Sequence, residues 1–349
     1  MNTNESSITN PSPQTSIPPL FVERGGELVA RQPFLQENTH LRCFFLEAKR
    51  GKLQSVCDKV FNQPTGGALN FRPFSNVILL TFAKIDRIYS MHGNDSERGP
   101  MSEMDVAFWI PLLSERVSSE GVSSKRGGKL HLSWYIPYIF VDNPFAMATG
   151  REVYGFPKTI AQFQIPEKIS STDAYWVETL AMEHIQAGSR MKPMRVLEVV
   201  HGGRQDGRKR NAAQPLDTVR SLYAMLAGEK DNLSTRFSLG WHHFQHIVKT
   251  QEVQMVFLRQ LRDIRNPTVA SYQEVIEAPS RVARIHRGGF LPGSFEVRLI
   301  SSDTFPIAEE LGLDPERNRV KGAYWMDFDF FLDIGQTLWT TDPKPLLEI

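Results

Sequence analysis

Three apolar runs follow one another in the first half of the chain, with mostly turn-forming or polar residues between them. They are "SNVILLTFAKIDRI" (75–88), "DVAFWIPLL" (105–113) and "LHLSWYIPYIFV" (130–141). Each is rich in β-branched and aromatic residues and reads as a strand. The connections, "MHGNDSERGPMSE" (91–103) and "SERVSSEGVSSKRGGK" (114–129), are a loop and an exposed hairpin excursion, without the spacing of a crossover helix. Strands joined without crossover helices must pair antiparallel. More strands are expected at 40–48, at "QFQIP" and "AYWVETLAMEHI", at 272–290, at 293–302 and through the alternating aromatics of 322–339. Helical spacing is confined to 52–61, 215–228 and the short "PIAEELGL" (306–313). "WHHFQHIVKTQEVQMVFLRQLRDI" fits helix or strand. Many strands, few helices and no βαβ rhythm imply an α+β, mainly antiparallel β fold.

The sequence has 349 residues, room for one large domain or two ordinary ones. The expected organisation is a polar, proline-rich disordered tail over 1–19 and a single domain over 20–349, with 201–250 as a helical insertion. Lys plus Arg number 40 and Asp plus Glu 39, a formal net charge of +1. That balance gives no global electrostatic reason to bind nucleic acid or an anionic membrane. No stretch reaches the roughly 18 uninterrupted apolar residues of a membrane span, and the start lacks a signal-peptide pattern. Two cysteines, Cys43 and Cys57, form neither a disulfide framework nor a C-x-x-C pair. A cytoplasmic protein is expected.

Several chemical-looking motifs are weak. "HGGRQDG" lacks the strand and helix that flank a dinucleotide fingerprint, and "GRKR" reads as a solvated loop. His242 and His246 are four apart, half a metal site without the H-E-x-x-H glutamate, and no metal is expected. No G-x-S-x-G elbow is present.

The stretch around Lys158 is different. In "NPFAMATGREVYGFPKTIAQF" (143–163), Asp142-Asn143-Pro144 signals a turn, and Gly155 and Pro157 restrict the backbone around Phe156. This holds Lys158 beside Tyr154 and Phe156. A surface lysine with its stem along apolar neighbours fits this pattern. So does a reactive amine, which must first be freed of its proton, since an unperturbed lysine titrates near pH ~10.4. An amine buried without a partner is costly, so Lys158→Ala should then be harmless or stabilising. The spacing leaves both readings open.

"FVDNPFAMATGREVYGFPKTIA" (140–161) resembles the signature segment of the acetoacetate decarboxylase family, through Gly150-Arg151-Glu152 and Phe156-Pro157-Lys158. "CFFLEAKRGKLQSVCDKVF", "SEMDVAFWIPL" and "FEVRLI…GAYWMDFDFFLDIG" resemble its opening strand and helix, a strand carrying an acidic site residue, and its closing hairpin. The resemblance implies a closed, cone-like β-barrel with flanking helices. It implies a Schiff-base lysine, Lys158, activated by desolvation or a neighbouring cation as in acetoacetate decarboxylase itself. It further implies Glu103 as the acidic partner, Arg42 as a substrate-carboxylate contact, no metal or organic cofactor, a small carbonyl substrate and a homo-oligomer. Arg151 and Glu152 are expected to pair at the barrel wall. The chain departs from the family pattern at Thr159, where decarboxylases carry a second lysine, and near Leu80 and Thr81, where no carboxylate replaces a second acidic residue. The implied reaction is decarboxylation of an oxo acid. Aldolase or dehydratase chemistry on the same imine, and a barrel that only binds, are the alternatives.

Overall fold

The apolar runs fold as strands of one large sheet. The computed structural model describes residues 21–22, 29–116, 129–202 and 252–341. The tail 1–19, the excursion tip at 117–128 and all but the first two residues of 201–250 lie outside them.

The first strand, β1 (Phe34–Glu47), leads into helix α1 (Arg50–Cys57), short β2 (Phe71–Pro73) and the long β3 (Val77–Ser90). β4 (Met101–Arg116) and β5 (Lys129–Val141) form the hairpin that the sequence anticipates, paired antiparallel to its described end at Arg116 and Lys129. After helix α2 (Pro144–Thr149) come β6 (Lys158–Gln164), β7 (Tyr175–Ala181), β8 (Lys192–Gly202), β9 (Glu252–Arg262), β10 (Ala270–Phe290) and β11 (Ser294–Leu299). Helix α3 (Ile307–Leu311), β12 (Asn318–Arg319), β13 (Gly322–Leu332) and β14 (Gln336–Thr340) complete the described chain. The ambiguous segment before Ile264 is strand from Glu252.

Strands β5, β9, β10, β13, β1, β3 and β4 are hydrogen-bonded in that order, and β4 returns to β5. The path is therefore a closed ring, which leaves no sheet edge along it. A second arm, β6, β7, β8, β11 and β12, leaves the ring at β5. The pairing is antiparallel except where β5 meets β6 and β9, both parallel. The sheet is thus mainly antiparallel, as the sequence implies, with these two parallel pairings at β5. Both parallel partners reach β5 only after long excursions of chain, which removes the geometric bar on parallel pairing.

Aromatic rings join ring and arm. Phe44 of β1 lies 5.3 Å from Tyr175 and 5.2 Å from Phe295, both on the arm, and 6.1 Å from Phe82 beside it on β3. Phe44 and Phe82 are fully buried, and burying such rings stabilises by about 1.5–3 kcal/mol each.

The chain bends at Asp142, where the sequence signals a turn, and then enters a capped helix not anticipated from the sequence. Asn143 accepts hydrogen bonds from the N–H groups of Phe145 and Ala146, and Pro144 occupies the first helical turn. Both are strong helix-start signals. The helix is too short to show periodicity, and it passes directly into a wider π turn over Gly150–Tyr154. The amide of Asn143 also donates to the Ser102 carbonyl at 2.7 Å, fastening the helix to the start of β4. Asn143→Ala should therefore lower stability by about 1–2 kcal/mol, measured by urea denaturation, while Asn143→Asp keeps the cap and loses only the Ser102 bond. An Asn143→Ala midpoint equal to that of the parent would show that the cap contributes nothing.

Candidate functional site

Lys158 opens β6 at the junction of ring and arm, pairing with Ile139 of β5. Its backbone is held on both sides. The π turn ends at Gly155, whose φ of +71° is left-handed. A Cβ there would lie 2.8 Å from the Arg259 backbone, so close approach to β9 also requires glycine. Phe156 then stacks on Tyr154 with centroids 5.0 Å apart and packs on Phe257 at 4.3 Å. The Tyr154 hydroxyl donates to the Asp333 carbonyl. Arg151 donates from Nη1 to the Lys158 carbonyl at 3.1 Å, and among the described residues it forms no ion pair with Glu152.

The Lys158 side chain turns inward. Its Nζ lies 2.6 Å from Oε1 of Glu103, and both residues are at least nine-tenths buried. Nζ also lies 5.8 Å from the Phe156 ring centroid, a distance at which a cation is attracted to the ring face. Glu103 is not a loop residue. It stands in β4, opposite Ile85 of β3. Space for the lysine stem depends on Gly150, because a Cβ there would lie 2.7 Å from Lys158 Cδ and 3.0 Å from Cε. The pair and this glycine line a cavity of about 30 Å³, with Phe34, Ile88, Tyr154 and Phe156 among its apolar walls and Gln36 and Thr149 among its polar lining.

Arg42 is elsewhere. It pairs with Phe82, which pairs with Val106. Strand alternation puts Val106 on the opposite face from Glu103 and Asp105. Arg42 is buried there, donates to the Leu41 carbonyl at 3.0 Å, and does not line the cavity. Thr159 follows the same rule: as Lys158's neighbour in the strand it presents the opposite face. Thr81 accepts a hydrogen bond from Trp109 Nε1 at 2.8 Å and lies outside the cavity lining.

Two residues escaped the sequence reading. Asp105 lies two positions beyond Glu103, on the same face of β4. Burial and the Glu103 charge push its carboxyl up to about 7 against a smaller lowering by Lys158, and the Asp142 charge adds a weaker upward push. The E-x-D spacing in a strand was the available signal. Gln36 is 7% exposed and lines the cavity. It falls before residue 40, where the sequence reading began the strand. Asn38, with φ of +53°, and a register shift between Gln36 and Thr39 break the alternation that would have linked it to the rest of β1.

Removing the Lys158 amine would leave Glu103 buried and uncompensated, so the expectation that Lys158→Ala is harmless is reversed. It should cost about 3–5 kcal/mol, and Lys158→Met with Glu103→Leu should recover most of that loss in a denaturation experiment. Gly150→Ala should cost about 1–3 kcal/mol through overpacking. Gly51→Ala, in open space on α1, should be neutral or stabilising. Asp105 has a pH signature. A carboxyl that is raised in the folded state binds its proton more tightly there than when unfolded, so its contribution to stability falls as pH rises from about 4 towards about 7. Asp105→Asn should thus gain stability relative to the parent across that window and hold the gain above it. A difference constant with pH would mean that the carboxyl is not perturbed.

Residues 90–212 match the family model described as acetoacetate decarboxylase (ADC). No curated protein matches the chain. Among solved structures, acetoacetate decarboxylase from Legionella pneumophila aligns over 93% of this chain and 94% of its own, with a TM-score of 0.57 and 12% identity. An acetoacetate decarboxylase-like enzyme from Sphingomonas wittichii RW1 aligns over 91% and 98%, with 0.52 and 12%. The enduracididine biosynthesis enzyme MppR, in complex with the condensation product of pyruvate and imidazole 4-carboxaldehyde, aligns over 90% and 92%, with 0.50 and 11%. At these identities the likeness shows a shared fold.

Proposed function

For this chain of the acetoacetate decarboxylase family, we propose that Lys158 condenses with a small carbonyl compound to form an imine, and that the imine serves carbon–carbon bond chemistry. The observation that carries the proposal is the Lys158–Glu103 pair, 2.6 Å apart in a largely apolar cavity. Glu103 takes the ammonium proton, which leaves the amine lone pair free to attack the carbonyl carbon. The carbon–oxygen π bond becomes a carbinolamine oxygen, and Glu103 returns the proton there. The adduct nitrogen then gives a second proton to Glu103, leaving a neutral carbinolamine. Glu103 passes that proton to the hydroxyl, which departs as water and leaves an iminium, an electron sink for a carbon–carbon bond that breaks or forms beside it. Asp105, poised near neutrality, is a reserve proton source next to Glu103. Arg42 is given no substrate contact, because it stands on the other face of the sheet.

Decarboxylation of an oxo acid is one outcome of this chemistry. Aldol-type condensation or dehydration is the other, and two observations favour it: Thr159 in place of the decarboxylases' second lysine, and the condensation product held by the similarly folded MppR. We place the reaction in the cytoplasm, where two free, buried cysteines suit a reducing milieu. A homo-oligomer is the proposed assembly, as the family resemblance implies.

Incubation with oxo acids, ketones and aldehydes, followed by borohydride and peptide mass mapping, tests the proposal. A reduced adduct is expected on Lys158 and none in Lys158→Arg. Glu103→Gln should slow adduct formation by about 10²–10⁴-fold. Adducts that spare Lys158 with every compound would sink the proposal and favour a barrel that only binds. Carbon dioxide release from acetoacetate separates decarboxylation from the aldol-type reading.

A further inference from the structure

The polar groups of the cavity are committed, with one exception. Lys158 and Glu103 bind each other, the Thr149 hydroxyl accepts from the Ala30 N–H at 3.0 Å, and the Tyr154 hydroxyl is held by Asp333. The Gln36 carboxamide lines the same cavity, is 7% exposed, and makes no hydrogen bond among the described residues. Neither of its polar atoms is among the fully buried, unpaired ones of the described residues, so the amide is open to the cavity and available to a molecule that enters it. We propose that Gln36 is the specificity-determining residue of the site. Its carboxamide receives a second, uncharged oxygen of the substrate, so that the substrate class is a short hydroxy-aldehyde or hydroxy-ketone rather than an oxo acid.

The charges argue against an oxo acid. A carboxylate placed against Gln36 would share a largely apolar cavity with the Glu103 carboxylate. The cation among the described residues of the lining is Lys158, already paired. Like charges so confined raise each other's energy steeply. A neutral hydroxyl adds no charge, and it can both accept from the amide N–H and donate to the amide oxygen. The cavity of about 30 Å³ admits little more than the reactive end of a ligand before side chains must move, which favours compounds of two or three carbons.

This inference rests on the imine reading. The test compares borohydride-trapped adducts on Lys158 from glycolaldehyde and hydroxyacetone, which carry the second oxygen, from acetaldehyde and acetone, which lack it, and from pyruvate, which is charged. Each yield is divided by that of Nα-acetyl-lysine under the same conditions, to remove intrinsic carbonyl reactivity. Hydroxy compounds should exceed both other groups by about tenfold, and Gln36→Leu should reduce that ratio to about one. Should the variant not fold, the side-chain amide resonances of Gln36 in the parent protein must shift on adding hydroxyacetone and not on adding acetone. Pyruvate trapped as well as hydroxyacetone, a ratio unchanged in Gln36→Leu, or unmoved Gln36 resonances would each overturn the inference while leaving the imine intact. Absence of any Lys158 adduct would instead remove the reading on which it rests.

Discussion

A buried ammonium against a buried carboxylate governs the architecture around it. Taking either ion out of water costs several kcal/mol even after relaxation, and only close contact offsets that cost. The 2.6 Å separation of Lys158 and Glu103 supplies the contact. It can exist only if two elements far apart in sequence present their side chains to one point with little freedom. The surrounding constraints follow from that need. Gly150 leaves room for the lysine stem, the left-handed Gly155 lets the chain pass close to β9, and the Tyr154–Phe156 stack stops the turn from drifting. Asn143 binds α2 to the Ser102 carbonyl, one residue before Glu103, and so ties the lysine's segment directly to the strand that carries its partner.

The same strand that places the lysine closes the ring. β5 pairs with β4, β9 and β6. Ile139 stands opposite both Ala107 of β4 and Lys158 of β6. Sheet register therefore transmits directly from Glu103, through β4 and β5, to Lys158. A one-residue slip in either pairing would turn one of the two charges to the opposite face. Ring closure protects the β4–β5 pairing against that slip, and β6 is held on its other edge by β7, because a strand held on both edges cannot slide alone. The aromatic cluster of Phe44, Phe82, Tyr175 and Phe295 then presses the arm onto the face of β1 and β3 opposite the one that carries Glu103.

This explains what could be read from the residues and what could not. The long strands were legible because their apolar runs exceed what a turn or short helix could hold, and closure followed from the resemblance rather than from periodicity. Lys158 and Glu103 were legible as a pair only through that resemblance, since no pattern within one strand links residues 55 apart. Helix α2 was hidden by its six-residue length, although Asn143-Pro144 announced its start. Asp105 was within reach of simple alternation from Glu103. Gln36 was not, because the irregularity at Asn38 resets the facing of β1, and a residue's side of a sheet cannot be counted across an unseen bulge. Arg42, beyond that irregularity, shows the same limit from the other direction: β1 carries it to the face that packs against the arm.

The ion pair also bears on the chemistry proposed for it. An ammonium and an iminium each carry one positive charge, centred on the same nitrogen. A site arranged to hold Lys158 as an ammonium against Glu103 is thus already arranged for the iminium that would follow condensation. No dipoles need turn as the reaction proceeds, which is the condition under which fixed charges contribute most to catalysis. The neutral carbinolamine lies between these two charged states and gains least from Glu103, so the pair favours its collapse in either direction. The carboxylate then assists at both ends, as proton acceptor from the ammonium and as counter-ion to the iminium. The apolar walls that make the pair costly in the free protein keep the field between its members unscreened. Burial of the lysine, the feature least expected of its residue type, is accordingly the property that would suit it to imine chemistry.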